Sequence, residues 1–99
     1  MEHLDFRFNG GAPAGRRAYA GVVGSGDLEV LLTPGNTGQI DVAITTSVNG
    51  MQATWQAQLA RVFGAHPWPA AKITINDFGA TPAVVRLRLE QALEALQQS

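Results

Sequence analysis

Ile40-Asp41-Val42-Ala43-Ile44-Thr45-Thr46-Ser47-Val48-Asn49-Gly50-Met51-Gln52-Ala53-Thr54-Trp55 changes its hydrophobic period part-way along. Ile40, Val42 and Ile44 alternate with Asp41, Ala43 and Thr45, the pattern of a strand with one face buried. Beyond it, Met51, Trp55, Leu59, Val62 and Phe63 follow at spacings of four, four, three and one, a single stripe on an amphipathic helix. That helix is expected to start near Asn49, an N-capping residue type, and to stop near Gly64. The change of period divides the chain: strands before it, helices after it.

Working back from this point, Leu28, Val30 and Leu32 alternate with Glu29, Leu31 and Thr33, and Arg17 to Val23 reads as another strand. Ser25-Gly26 between them has the residues of a tight hairpin turn. Leu4, Phe6 and Phe8 alternate with Asp5, Arg7 and Asn9, giving the first strand. Gly10-Gly11-Ala12-Pro13-Ala14-Gly15 reads as a small, flexible connection, and Pro34-Gly35-Asn36-Thr37-Gly38 as a second turn cluster. Working forward, His66-Pro67-Trp68-Pro69 is a stiff link. Ile73 and Ile75 alternate with Lys72, Thr74 and Asn76 in a short fifth strand. Thr81 as N-cap and Pro82 at the first helical position open a last helix, with Val85, Leu89, Ala92, Leu93 and Leu96 on its apolar face. Gln97-Gln98-Ser99 is expected to fray. The class is therefore α+β: a mainly antiparallel β-sheet of about five strands, one face wet, with two helices on the other.

Ninety-nine residues make one domain, residues 1–99, which buries roughly 60–70% of the surface its unfolded form exposes. Charged residues are 15% of the chain, below the usual ~25%, so much of the surface is neutral, as in a subunit of a complex. The net charge is −1 and the seven basic residues do not cluster beyond Arg16-Arg17, so no basic face for a nucleic acid is visible. The absence of cysteine excludes disulfides, thiolate zinc sites and intrinsic thiol chemistry. Met1-Glu2-His3-Leu4-Asp5 is charged and alternating, unlike a secretory leader. No apolar run approaches the ~18 residues that span a membrane. These features point to a cytoplasmic protein.

Gly24-Ser25-Gly26-Asp27 is the stretch with most bearing on function. A serine between two glycines has no neighbouring Cβ to shield its hydroxyl, which suits a residue on which another enzyme acts. An ordinary hairpin with small turn residues explains the same pattern, and Asp27 reads equally as a turn residue bonding its own backbone. Catalysis by the chain itself is poorly served. A serine nucleophile needs a base in reach and an oriented third group, and neither His3 nor His66 belongs to a motif that supplies one. The Gly-Ser-Gly lacks the spacing of a nucleophile elbow. No pair of histidines or carboxylates has metal-ligand spacing. Gly21-Val22-Val23-Gly24-Ser25-Gly26 lacks the Lys-Ser/Thr ending of a phosphate loop and leads into a strand.

Val22-Val23-Gly24-Ser25-Gly26-Asp27-Leu28-Glu29-Val30-Leu31 resembles the modification site of the acyl carrier (delta, or C) subunits of biotin-independent malonate decarboxylase. Met1-Glu2-His3-Leu4-Asp5-Phe6 and Ile75-Asn76-Asp77-Phe78-Gly79-Ala80-Thr81-Pro82, followed by Val85-x-Leu87-Arg88-Leu89-Glu90-Gln91-Ala92-Leu93, are similar to that family too. The resemblance implies that Ser25 carries a 2′-(5″-phosphoribosyl)-3′-dephospho-CoA arm through a phosphodiester, with Gly24, Gly26 and Asp27 supporting the attachment turn. The arm's thiol would supply the sulfur that the chain lacks. The implied cycle exchanges an acetyl thioester for a malonyl thioester, then loses carbon dioxide to regenerate the acetyl form. The implied partners are the transferase (alpha) and decarboxylase (beta, gamma) subunits, a prosthetic-group transferase and a malonyl transferase. Asp27 would help place a modifying enzyme's metal or cation. The chain itself would be a non-catalytic carrier that raises effective concentration.

Two other readings fit the residues: a citrate lyase-type acyl carrier, which uses a related arm, and an unmodified binding or scaffold subunit. Trp68 reads as an exposed docking anchor or, preferably, as a plug at the sheet edge. Arg16 and Arg17 read as a solvated pair, or as partners of arm phosphates. Asn76-Asp77-Phe78-Gly79 is a partner-recognition turn or simply the strand-to-helix connection.

Overall fold

The computed structural model describes residues 1–97. Seven elements follow in order: β1 (Glu2–Asn9), β2 (Ala18–Gly21), β3 (Leu28–Pro34), β4 (Gln39–Thr46), α1 (Gln52–Ala65), β5 (Ala71–Asp77) and α2 (Pro82–Gln97). The strands form one sheet in the order β1-β4-β5-β3-β2. Three of its pairings are antiparallel, and β4 and β5 are parallel. The parallel pair follows from α1, because a strand can return beside its predecessor in the same direction only after a crossover of about a helix's length. The expected α+β sheet with two helices is what forms, with this one parallel pair inside it.

Alternation decides which side chains meet the helices. Phe6, Val42, Ile73 and Leu32 lie in register across the sheet and are buried, as are Leu4, Ile44, Ile75 and Val30 one step along. Trp55, Leu59, Val62 and Phe63 of α1 pack on this face, with Val85, Leu89, Ala92 and Leu93 of α2. The opposite face carries Asp5, Ala43, Thr74, Leu31 and Tyr19 in one lateral row, and only Tyr19 and Leu31 among them are large and apolar.

Both ends of α1 differ from expectation. Gly50 takes a left-handed φ of +79°, which turns the chain before the helix, so Met51 and not Asn49 occupies the cap position, without a side-chain hydrogen bond. Gly64 is an ordinary helical residue. The stop is made by His66, extended at φ −142° and ψ 157° because Pro67 excludes the helical conformation from the residue before it. The start of α2 is as expected: the Thr81 carbonyl accepts from Val85 N at 3.0 Å, and its hydroxyl accepts a longer bond from Val84 N at 3.4 Å. Gln97 is still helical, and Gln98 and Ser99 lie outside the described residues.

The Gly10–Gly15 connection is stitched down rather than flexible. It carries the chain from one edge of the sheet to the other, with Gly11 N donating to Trp68 O (2.9 Å), Ala14 N to Ala70 O (2.9 Å) and Ala70 N to Ala12 O (2.8 Å). Trp68 is buried and meets Phe63 edge-on at 5.0 Å, with Phe8 on the other side of Phe63 at 5.1 Å. It is thus a packed residue beside the start of β5 and not an exposed anchor.

Candidate functional site

The loop from Val22 to Asp27 leaves the sheet where β2 meets β3. Gly21 ends β2 because its φ is +112° and a Cβ there would collide with the Leu28 carbonyl oxygen. The second strand therefore runs over Ala18–Gly21, not Arg17–Val23, and Val22 and Val23 are 51% and 65% exposed. Val22 N still donates to Leu28 O at 3.0 Å, and no ladder pairing continues beyond it.

Gly24-Ser25-Gly26-Asp27 is a four-residue turn closed by Asp27 N donating to Gly24 O at 3.1 Å. Gly26 has a φ of +77°, the value that the third position of a type II turn demands and that glycine adopts without cost from a Cβ. Ser25 takes the second position, with its side chain exposed. The turn itself is as expected, but it tips a six-residue loop rather than closing a two-residue hairpin.

Its support comes from elsewhere in the chain. Gly26 N donates to Phe78 O at 2.8 Å, and Phe78 N donates to Asp27 O at 2.9 Å. These bonds extend the β3–β5 ladder past Leu28 and Asp77. One leg of the loop, Gly26-Asp27, is thus anchored to the central strand, while the Val22–Gly24 leg has only its first amide tied. The Asn76–Gly79 stretch is indeed the strand-to-helix connection, and it also grips the turn. Asp77 is buried there, accepting from Thr46 Oγ1 at 2.8 Å and from Ala80 N at 3.0 Å.

Asp27 bonds its own backbone neighbour, accepting from Leu28 N at 2.7 Å. Its carboxylate also receives both ends of the Arg88 guanidinium, Nε to Oδ1 at 3.1 Å and Nη2 to Oδ2 at 2.7 Å. The two side chains are only 20% and 23% exposed. The Arg88 hydrogen bonds, with the Leu28 amide behind them, hold the Asp27 carboxyl below its ordinary pKa against the opposing effect of desolvation. The carboxylate is therefore engaged within the fold. Glu29, next along β3, accepts from Tyr19 OH at 2.6 Å and Asn76 Nδ2 at 2.7 Å, and these bonds lower its pKa also.

The other titratable residues lie elsewhere. The His3 ring nitrogen Nδ1 pairs with Thr45 Oγ1 at 3.0 Å on the open face, and His66 lies 3.7 Å from Glu90. Arg16 donates to Ala95 O at 2.9 Å in the last turn of α2, at the far end of the sheet, and both Arg16 and Arg17 are exposed. The pair is solvated as expected, and Arg16 adds one bond to a carbonyl near the end of α2. Among the described residues, no group of three or more His, Asp or Glu is placed to hold a metal ion. Nor, among the described residues, is any helix long and apolar enough to cross a membrane.

Residues 15–96 match the family model described as the malonate decarboxylase delta subunit. A malonate decarboxylase acyl carrier protein of Pseudomonas aeruginosa (strain UCBPP-PA14) is 63% identical over 94 residues, covering 95% of each chain. The chain belongs to the malonate decarboxylase delta subunit family. A relative from Azotobacter vinelandii, also a malonate decarboxylase acyl carrier protein, is 58% identical over 95 residues and again covers 95% of each chain. A solved structure shares the fold. A chain in the crystal structure of a Pseudomonas malonate decarboxylase hetero-tetramer in complex with malonate matches at a TM-score of 0.93 and 53% identity, over 97% of this chain and 99% of that one.

Arg88 and Phe78 are the site residues that reading the chain missed. Both stand inside segments quoted for the family resemblance, but nothing local assigns them to the turn. Arg88 is 61 positions from Asp27. Its one sequence signal is a cation directly beside Leu89 on the apolar stripe of α2, where a long side chain can reach past the core.

Proposed function

We propose that Ser25 is the attachment point of a 2′-(5″-phosphoribosyl)-3′-dephospho-CoA arm, joined through a phosphodiester, in an acyl carrier subunit of malonate decarboxylase. The carrier role follows from family membership. The observation that supports the attachment is the turn: an exposed hydroxyl at the second position, flanked by Gly24 and Gly26, on a base fixed by the Phe78 backbone and the Asp27–Arg88 pair. A Cβ at Gly26 would stand in open space, and one at Gly24 would have only Val22 Cγ1 near it, at 3.6 Å. A bulky donor therefore has a clear approach to Ser25, so the residues present fit the group.

When bound, the arm supplies a terminal thiol for acetyl and malonyl thioesters, whose carbonyl stabilises the carbanion left as carbon dioxide departs. The chain's own residues do the rest by position. Ser25 fixes one end of the tether, and the turn keeps that end clear of the sheet. A tethered acyl group then meets each active site as an intramolecular partner, at an effective concentration set by reach rather than by diffusion. No acid or base is assigned to this chain. The partners under this reading are the transferase (alpha) and decarboxylase (beta, gamma) subunits, the prosthetic-group transferase that loads Ser25 and the malonyl transferase. That a relative was crystallised within a hetero-tetramer supports a multi-subunit setting.

The test is the intact mass of the chain produced with and without its modifying enzymes, beside a Ser25→Ala variant. The expected result is a mass increment equal to the arm, present only with those enzymes and abolished in Ser25→Ala. Unmodified polypeptide in active complex from the native organism, or decarboxylation that persists with Ser25→Ala, overturns the reading.

A further inference from the structure

We propose that Arg88 is a positioning residue for the loading of Ser25, acting through Asp27 to hold the turn in the shape that the modifying enzyme accepts. The inference rests on Ser25 being the attachment point. Loading makes one bond from phosphorus to Ser25 Oγ, breaks one P–O bond in a polyphosphate donor, whose outer phosphates depart as the leaving group, and releases the serine proton to the modifying enzyme. All three events need the hydroxyl presented in one place, and the turn is poorly made to hold itself. Its glycines have more backbone freedom to lose than any other residue, so an untied Gly24-Ser25-Gly26 samples many shapes.

The ties are unequal. The Gly24–Asp27 bond closes the turn, and the two Phe78 bonds fix its height on β5, but all three are backbone bonds at or beyond the glycines. The Asp27–Arg88 pair is the side-chain tie that joins the turn to the helical layer. A fork of two parallel bonds fixes the orientation of the carboxylate as well as its distance. With Leu28 N on the same oxygen, it sets the direction in which the chain leaves Gly26. Arg88 is itself braced, its Nη1 donating to Gln91 Oε1 at 3.1 Å one turn along α2. Turn, strand and helix are thus locked through one guanidinium that never needs to touch the donor.

The experiment measures arm transfer to the full apo chain by its cognate transferase, for the native sequence, Arg88→Met, Arg88→Lys and a control, Arg86→Gln, on an exposed pair with Glu90. Arg88→Met is expected to lower kcat/KM for the acceptor by on the order of tenfold, as small misplacements of a reacting group do. Arg88→Lys restores only part of it, because an ammonium cannot form the fork. Arg86→Gln is unchanged. Amide hydrogen exchange is read in parallel on the unloaded chain: Arg88→Met should speed exchange at Gly26 while leaving β4 and β5 as protected as before. Native chain that accepts no arm defeats the reading of Ser25 and leaves the exchange result to be judged alone. Native and Arg88→Met chains loading equally well, or Gly26 exchanging at the same rate in both, overturns the role of Arg88. A loss of protection throughout β4 and β5 overturns it also, since Arg88 then serves the fold at large.

Discussion

Two glycine-rich connections close the two ends of the sheet, Gly10–Gly15 at one and Val22–Asp27 at the other, and they have opposite characters. The first is laid against Trp68–Ala70 by backbone hydrogen bonds, over an aromatic cluster of Phe8, Phe63 and Trp68. A Cβ at Gly10 would press on Ile40, Pro69 and Ala70 at 3.0–3.1 Å, so glycine is there to let two backbones come close. At the second, Gly26 has empty space around its missing Cβ, and glycine is there for its positive φ and for access. The same residue type serves packing in one place and exposure in the other. The structural consequence is a division of labour: one end carries core stability, and the other presents a side chain to solvent from a fixed base.

The largest expected effect strikes the packed end. Trp68→Ala removes a buried ring from the aromatic cluster and should cost about 3–5 kcal/mol, seen as a lower urea or thermal midpoint. Gly26 amide protection against local opening should stay as it was, and its loss would show that the two ends are coupled. Next comes Gly21→Ala, at the root of the exposed loop. It forces a Cβ into the Leu28 carbonyl at a φ of +112°, and should cost about 1–3 kcal/mol with faster exchange at Val22 N, the amide just beyond it. Gly10 and Gly21 would then both be intolerant of a side chain while Gly24 is not, which sharpens the distinction drawn above.

The smallest effect is one of pH. The Asp27 carboxyl is held below its ordinary 3.8 by Arg88, so the native state binds this proton less readily than the unfolded chain does. The pair's stabilising contribution is therefore complete above the unfolded chain's ordinary value and is lost as pH falls from there through the lowered native value. An NMR titration of the Asp27 carboxyl carbon should place its midpoint below 3.8, and Arg88→Met should move it upward. A native midpoint at or above the ordinary value means that the fork does not persist in solution.

Much of this was legible before any coordinates. Alternation located four of the five strands, and the stripe from Trp55 to Phe63 located α1, because one buried face leaves a direct imprint on composition; β2 was found as a run with no such rhythm and drawn too long. The turn at Ser25 was legible from its glycines. Strand order was not: Ile73 and Ile75 alternate just as Ile40 and Val42 do, and nothing in that rhythm says that β5 slots between β4 and β3. Helix limits were set by Gly50 and Pro67 rather than by the expected Asn49 and Gly64, since backbone geometry outside the helix overrode local preference. Arg88 and the bond from Arg16 to Ala95 were missed for one reason. Each arginine meets a partner more than sixty positions away, and long-range pairing leaves no mark on local spacing.

The one-sided anchoring of the loop has a mechanical meaning. A pull outward on Ser25 passes through Gly26 and Asp27 into β3, and the Phe78 bonds share it with β5, the middle of the five strands. Such a load drags neighbouring strands lengthwise past one another, straining many rungs together, whereas a load entering by Val22 would peel the short edge strand open rung by rung. Were the proposed tether fastened here, a tug on it would leave the molecule that holds it in shape.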